Sequence, residues 1–235
     1  MKLSVCLAAY NGAPYLRRQV ASILPQLPPD AEVLISDDGS SDATPALLSS
    51  LAAEDGRIRL LQGPGRGVVA NFNYLLSEAK GDVVFLSDQD DVWHADKVAS
   101  VLQALEEHPA CGLVLHDAAV VDGEGRLLQP SFFRFRGVKH GLWRELWKNS
   151  YTGCCLAVTR SFLQEALPVP EDVEMHDWWL GLLAERKGNS FFLDRPLIDY
   201  CPHEGTATSL KPNPLPRQLK NRAVLLRRLL QRKRT

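Results

Sequence analysis

The chain lacks several signatures that would decide its class quickly. Its 235 residues hold five cysteines. Only Cys154 and Cys155 adjoin, and no CxxC occurs, so the spacing suggests neither a zinc site nor a disulfide framework. A reduced, cytoplasmic setting is expected. No apolar run approaches the roughly 18–20 residues that a membrane span needs. The opening MKLSVCLAAY is apolar but stops at Tyr10-Asn11-Gly12 without a small-residue cleavage site, so it reads as a strand rather than a signal peptide. No GxGxxG is present, and GPGRG (Gly63–Gly67) is followed by no Walker lysine with Ser or Thr, so it reads as a flexible loop. No internal repeat or low-complexity segment appears. The last 25 residues, 211–235, contain no acid.

What is present is ordinary for a globular protein: 45% hydrophobic and 23% charged residues, with a net charge of −1. The charge is uneven. Nine Lys and Arg lie in 211–235, which leaves the first 210 residues at about −10, 18 basic against 28 acidic. The first half alternates strand and helix: strands at Leu3–Ala9, Glu32–Ser36, Ile58–Gln62 and Asp82–Leu86, helices at Pro14–Leu24, Asp42–Glu54, Val69–Ala79 and Asp96–Glu107. The second helix opens on Ser41 or Asp42 as cap. Such alternation predicts βαβ units and a mostly parallel central sheet in one α/β domain. The second half is less regular. A strand is expected at Leu113–Val121, Phe132–Arg136 as a loop or edge strand, a short helix at Trp143–Trp147, a helix at Met175–Arg186, and short strands at Phe191–Leu193 and Leu197–Tyr200. His116-Asp117 reads as structural. The proline-rich KPNPLP (Lys211–Pro216) leads into a last helix with Leu219, Ala223, Leu226 and Leu230 at helical spacing. The organisation expected is a domain over 1–210, in halves 1–110 and 111–210, with a basic tail over 211–235.

Three polar clusters follow strands of the first half: Tyr10-Asn11, then Asp37-Asp38-Gly39-Ser40, then Asp88-Gln89-Asp90-Asp91. In an open parallel sheet, ligands bind at the carboxyl ends of strands. One acidic strand end could be a helix cap, but three at one edge point to a site. Asp88, Asp90 and Asp91 repel one another, and a divalent cation relieves that repulsion. Carboxylates suit hard Mg²⁺ or Mn²⁺, which take substrate phosphates as further ligands. Asp91 reads as a cap of the following turn.

These motifs resemble a family. AAYNG, SDDGSSD and SDQDDVWHADK, with EMHDWW (Glu174–Trp179) and IDYCPHEGTATS (Ile198–Ser209) farther on, are similar to inverting family 2 glycosyltransferases of the GT-A fold. The forms NFNYLL, SDQDDVW and HDWW most resemble rhamnosyltransferases of bacterial surface-polysaccharide and lipopolysaccharide assembly. Two positions depart from the pattern. Cys201-Pro202 stands where the family has Arg and a polar residue, and Phe72 stands where many relatives carry Arg beside Asn.

The resemblance implies roles. Asp177 is the catalytic base, with Glu174 and Asp172 as rivals. Asp90 and Asp88, with His203, hold Mg²⁺ or Mn²⁺. Ala9, Tyr10, Asn11, Asp37, Asp38, Asn71, Asp88, Gln89 and Trp178 bind the nucleotide-sugar. The donor implied is dTDP-β-L-rhamnose or a UDP-sugar, and the acceptor an oligosaccharide or lipid-linked saccharide. The basic tail reads either as a helix lying on the inner membrane surface or as one packed on its own domain. A nucleic-acid partner is not expected. Competing readings are the same transfer from a UDP-hexose, a sugar-nucleotide nucleotidyltransferase releasing pyrophosphate, and a noncatalytic carbohydrate-binding module.

Overall fold

The computed structural model describes residues 1–202 and 214–232. The first half follows the expected alternation: β1 (Leu3–Ala9), α1 (Ala13–Ile23), β2 (Glu32–Asp37), α2 (Thr44–Glu54), β3 (Ile58–Gln62), α3 (Val68–Glu78), β4 (Val83–Ser87), β5 (Val92–Trp93) and α4 (Lys97–Glu107). β1 and β4 are buried along almost their whole length, as strands covered on both faces must be. In α1, Leu16, Val20 and Ile23 recur at helical spacing and turn inward. Pro14 stands in its first turn, where a missing N–H costs nothing. Asp42 does serve the start of α2, its Oδ1 accepting from the Thr44 N–H at 2.9 Å.

The second half comprises β6 (Leu113–Val121), β7 (Leu127–Gln129), α5 (Phe132–Arg136), α6 (Leu142–Trp147), β8 (Leu156–Thr159), α7 (Arg160–Ala166), α8 (His176–Lys187), β9 (Ser190–Tyr200) and α9 (Leu215–Gln231). All but β7 lie along one sheet in the order β3-β2-β1-β4-β8-β6-β9-β5, with β7 pairing β6. The ladders from β3 to β4 are parallel. β8 then runs antiparallel between β4 and β6, and β6 and β9 pair parallel again. The sheet is therefore parallel where strands alternate with helices, and mixed beyond.

Two local expectations change. Phe132–Arg136 is neither loop nor edge strand but a short helix. Ser131 caps it by accepting from the Arg134 N–H, and Gly137 closes it in the left-handed region at φ 63°. Buried Asp117 anchors the turn, accepting from the Phe133 N–H at 2.8 Å and from the Ser131 hydroxyl, which bears out its structural role. The two short strands expected near the C-terminal side are one strand, β9. Its register jumps from His116↔Leu193 to Asp117↔Pro196, so Asp194 and Arg195 bulge out ahead of a proline that cannot donate to the ladder.

Candidate active site

The parallel strands end at one edge, and their ends form the wall of a cavity of about 670 Å³. It is lined from the first half by Ala8, Ala9, Tyr10, Asp38, Gly39, Gly65, Gly67, Val68, Asn71, Asp88, Gln89 and Asp90, and from the second by Thr152, Gly153, Met175, His176, Asp177 and Tyr200. That volume lies in the range of small-molecule sites.

Side chains at the strand ends first brace the wall itself. Gln89 bonds the backbone of Tyr10 twice, accepting from its N–H at 2.9 Å and donating to its carbonyl at 3.0 Å. Asn11 takes φ 49°, a left-handed conformation that Asn tolerates better than most residues. Its N–H donates to the Ser40 hydroxyl and its side-chain oxygen accepts from the Ser41 N–H, tying the two strand ends together. Asp37 accepts from both the N–H and the hydroxyl of Ser40. Asp38 accepts from the N–H of Gly65 at 2.8 Å and of Gly67 at 2.7 Å. The GPGRG segment is therefore a pinned wall rather than the free loop its composition suggested, and its glycines take φ 65° and 87°. Asn71 is buried. Its amide donates to the Ser36 carbonyl, while its Oδ1 lacks a partner among the described residues.

The acidic end of β4 forms the next part. Asp88, Asp91 and Cys154 offer ligand atoms within 4.8 Å of one another. Asp88 is held well above the ordinary carboxylate range by desolvation and then by the charges of Asp91, Asp90 and Asp177. Asp91 is not an exposed turn cap. It is buried, its Oδ2 has no hydrogen-bond partner among the described residues, and burial pushes its pKa up to about 7. Below the cluster, Lys97 is fully buried, donates to the Cys154 carbonyl at 2.8 Å and lies 3.9 Å from the centre of the Trp93 ring. With their protons released, three carboxylates beside one ammonium would leave two negative charges, which one divalent cation would balance. The carboxylate oxygens suit a hard ion. The Cys154 thiol does not: its pKa is held far above normal, so it stays protonated. The residues present thus fit Mg²⁺ or Mn²⁺.

α8, which begins at His176, brings further residues to the same cavity. Asp177 is buried in its first turn, and its Oδ1 accepts from the Trp178 N–H at 2.5 Å. Burial raises its pKa to about 7 against the helix-terminal hydrogen bonds that lower it. His176 is also buried, stacks on Phe72 with ring centroids 4.0 Å apart, and has no partner for either ring nitrogen among the described residues. Burial pushes its pKa down to about 3, so the imidazole is neutral. Gly153 permits this crowding. A Cβ there would stand 3.1 Å from His176 Nε2 and 3.9 Å from Asp177 Oδ2.

Of the residues singled out in the sequence, Ala9, Tyr10, Asp38, Asn71, Asp88, Gln89, Asp90 and Asp177 line this one cavity. Asn11 and Asp37 stand behind it as braces. Trp178 is buried away from the lining, its indole N–H donating to the Glu145 carbonyl at 2.7 Å. Glu174 is not among the lining residues. Asp172 is held by Arg227 and Arg228 of α9, and the pair keeps its carboxyl below the ordinary range. His203 lies outside the described residues. The sequence reading missed the Gly65–Gly67 wall, Thr152, Gly153, Met175, His176 and Tyr200. Met175 and His176 stand in EMHDWW and Tyr200 in IDYCPHEGTATS, so these three carried a signal within quoted motifs, while Thr152 and Gly153 carried none.

Comparison with known proteins matches residues 4–167 to the model described as "Glycosyl transferase family 2". An uncharacterized glycosyltransferase of Nostoc sp. is 27% identical over 189 residues, covering 78% of this chain and 58% of its own. The chain therefore spans little more than half of that relative. A dTDP-rhamnosyl transferase of Shigella flexneri is 26% identical over 221 residues, covering 84% of this chain and 72% of its own. Among solved structures, residues 1–349 of TarS from S. aureus, in complex with UDP-GlcNAc, align with a TM-score of 0.73 at 18% identity, over 100% of this chain and 68% of that one. A mannosyltransferase from Pyrobaculum calidifontis, in complex with GDP-Man and Mn²⁺, aligns with a TM-score of 0.61 at 21% identity, over 86% and 58%. At these identities the structural likenesses establish the GT-A fold alone.

Proposed function

We propose that this chain, which belongs to glycosyltransferase family 2, is a metal-dependent inverting transferase that moves L-rhamnose from dTDP-β-L-rhamnose to a saccharide in bacterial surface-polysaccharide assembly. The observation that carries the mechanism is Asp177: a buried carboxyl with its pKa raised to about 7, lining the same cavity as Asp88 and Asp90. A base poised near neutrality takes the proton from the acceptor hydroxyl as that oxygen attacks the anomeric carbon, and such transfer contributes roughly 10²–10⁴-fold. In an inverting transfer the diphosphate held at Asp88 and Asp90 would depart from the face opposite the incoming oxygen. Asp90 and Asp88 would hold the cation. When bound, it stabilises the charge that builds on the diphosphate as the glycosidic bond breaks. Ala9, Tyr10, Asp38 and Asn71 surround the nucleoside, with Asn11 and Asp37 fixing the strand ends that present them. Neutral His176 stands beside Asp177 without adding charge there.

The rhamnose donor is supported by the Shigella relative and by the HDWW and SDQDDVW forms. The TarS complex, holding UDP-GlcNAc, keeps a UDP-hexose as the second reading. A lipid-linked saccharide is the acceptor that best suits the basic α9, and the cytoplasmic side of the inner membrane the setting. No described helix is long and apolar enough to cross a membrane. The deciding experiment is a donor screen scored by release of nucleoside diphosphate, with Mg²⁺, with Mn²⁺ and with chelator. Release from dTDP-rhamnose only when metal is present supports the reading. Release from UDP-hexoses alone moves it to the second. Pyrophosphate as product would overturn both.

A further inference from the structure

The helix α9 carries two apolar faces, not one. Leu225 and Leu229 are buried against the body. Polar contacts fix that inner face: Arg186 of α8 donates to the Leu229 carbonyl, Arg222 donates to the Trp147 carbonyl, and Arg228 meets Asp172 at 2.8 Å. The stripe singled out in the sequence is the outer one. Leu215 is 62% exposed, Leu219 49% and Leu230 75%, and Ala223 and Leu226 lie between them at helical spacing. Lys220 and Arg227 border one edge of this stripe and Arg222 the other, as the 3.6-residue period requires. Beyond Arg222, whose guanidinium lies 4.5 Å from the Trp147 ring centre, Trp147 is 63% exposed. Trp143, one turn earlier on α6, is 72% exposed.

We infer that this outer face docks on a bilayer surface bearing anionic headgroups. Charge complementarity selects that occupant. The stripe is bordered by cations, residues 211–235 contain no acid, and the preceding body carries about −10. An anionic surface repels the body and attracts this face, which sets the orientation of approach. Apolar residues between flanking cations, with tryptophans beside them, match the boundary between acyl chains and headgroups. The inner contacts hold α9 on α8, the helix that carries Asp177, so docking would fix the cavity at a set distance from the lipid. The inference deepens the reading of a lipid-linked acceptor, but its test needs no turnover. Failure to bind vesicles and failure to transfer sugar therefore remain separate results.

The test is flotation of the whole protein with vesicles of phosphatidylcholine alone or mixed with phosphatidylglycerol. The expected result is binding only to the anionic vesicles, with a blue shift of tryptophan emission, and release at high salt. Lys220→Gln should weaken partitioning about fivefold, the worth of one interfacial cation, with Arg227 left in its pair with Asp172. Leu219→Glu with Leu230→Glu should abolish it, while the melting temperature and the release of nucleoside diphosphate in vesicle-free solution stay at wild-type values. Absence of binding, equal binding to both vesicles, or binding unchanged in the leucine variant would overturn the inference. So would a dimer in sedimentation velocity that the leucine variant splits, because the stripe would then serve a second copy of the chain.

Discussion

Replacing Asp177 with Asn separates the catalytic from the structural consequences of one buried carboxyl. In the folded protein its pKa rises from 3.8 to about 7, with burial as the leading cause. The difference of about 3 units is worth ~4 kcal/mol at 1.36 kcal/mol per unit. A raised folded-state value means that the native protein keeps the proton while the unfolded chain releases it near pH 3.8. Stability is therefore lost as pH rises from about 4 to 7, and the full cost stands above pH 7. Asn has no proton to lose. The variant should thus be more stable than wild type by up to ~4 kcal/mol at pH 8, with the gain falling to ~1.6 kcal/mol at pH 5. For a chain of this size, ~4 kcal/mol corresponds to a rise in melting temperature of roughly 8–16 °C. Over the same range, transfer should fall by roughly 10²–10⁴-fold. Wild-type kcat/KM should climb with pH up to about 7 and then level off. Calorimetric melts at pH 5 and 8, with initial rates of nucleoside diphosphate release, measure both sides. A melting difference that does not change with pH, or turnover within tenfold of wild type, would refute the assignment of Asp177.

Other perturbations probe the remaining walls. Asp38→Ala frees the Gly65 and Gly67 N–H groups, and two charge-assisted hydrogen bonds at ~1.5–3 kcal/mol each should appear as a raised donor KM with faster amide exchange across Gly63–Gly67. Lys97→Met strips the cation from beneath Asp88 and Asp91 and should destabilise the fold by ~3–5 kcal/mol in chemical denaturation, whereas Lys97→Arg should retain part of the loss. Asp90→Ala should abolish the gain in affinity for nucleoside diphosphate that Mn²⁺ confers in calorimetry, leaving the affinity for the bare nucleoside unchanged. Trp178→Phe loses the bond to the Glu145 carbonyl and should lower the melting temperature while leaving the donor KM unchanged. A rise in KM there would return Trp178 to the binding wall.

Legibility in the sequence followed the period of the structure. β1 to β4 and the helices between them repeat apolar and polar residues with a regular beat, and their ends were readable to within a residue or two. The polar groups at those ends were readable because each follows its own strand directly. The second half was harder for physical reasons. β8 reverses the sheet through a four-residue strand too short to show periodicity. α5 is a helix because Ser131 and Gly137 cap it and Asp117 anchors it, and that anchor lies 16 residues from the Phe133 N–H it holds. The Gly65–Gly67 wall depends on Asp38, 27 residues away, so its composition alone suggested slack. Gly153, between Thr152 and Cys154, is in the site because it lacks a side chain, which no local pattern announces. α9 had a readable period, but its inward face, Leu225 and Leu229, was not singled out. Leu225 and Leu229 fit the same helix as well as Leu219 and Leu230 do, and only the partner surface distinguishes them.

The charge of the cavity explains why the two halves of the site depend on each other. Among the described residues, no Lys or Arg lines it, whereas Asp38, Asp88, Asp90 and Asp177 all do. A diphosphate adds further negative charge to that wall, and like charges in a partly desolvated cleft repel more strongly than in water. Lys97 offsets one charge from beneath and donates to the Cys154 carbonyl, out of the lining. A divalent cation entering with the donor would offset that charge, in keeping with the metal dependence proposed. The same repulsion reaches Asp177, whose charge already raises the pKa of Asp88. A cation held by Asp88 and Asp90 would oppose that field and favour the ionised form of Asp177, so that in the proposed reading an occupied donor site would prime the base.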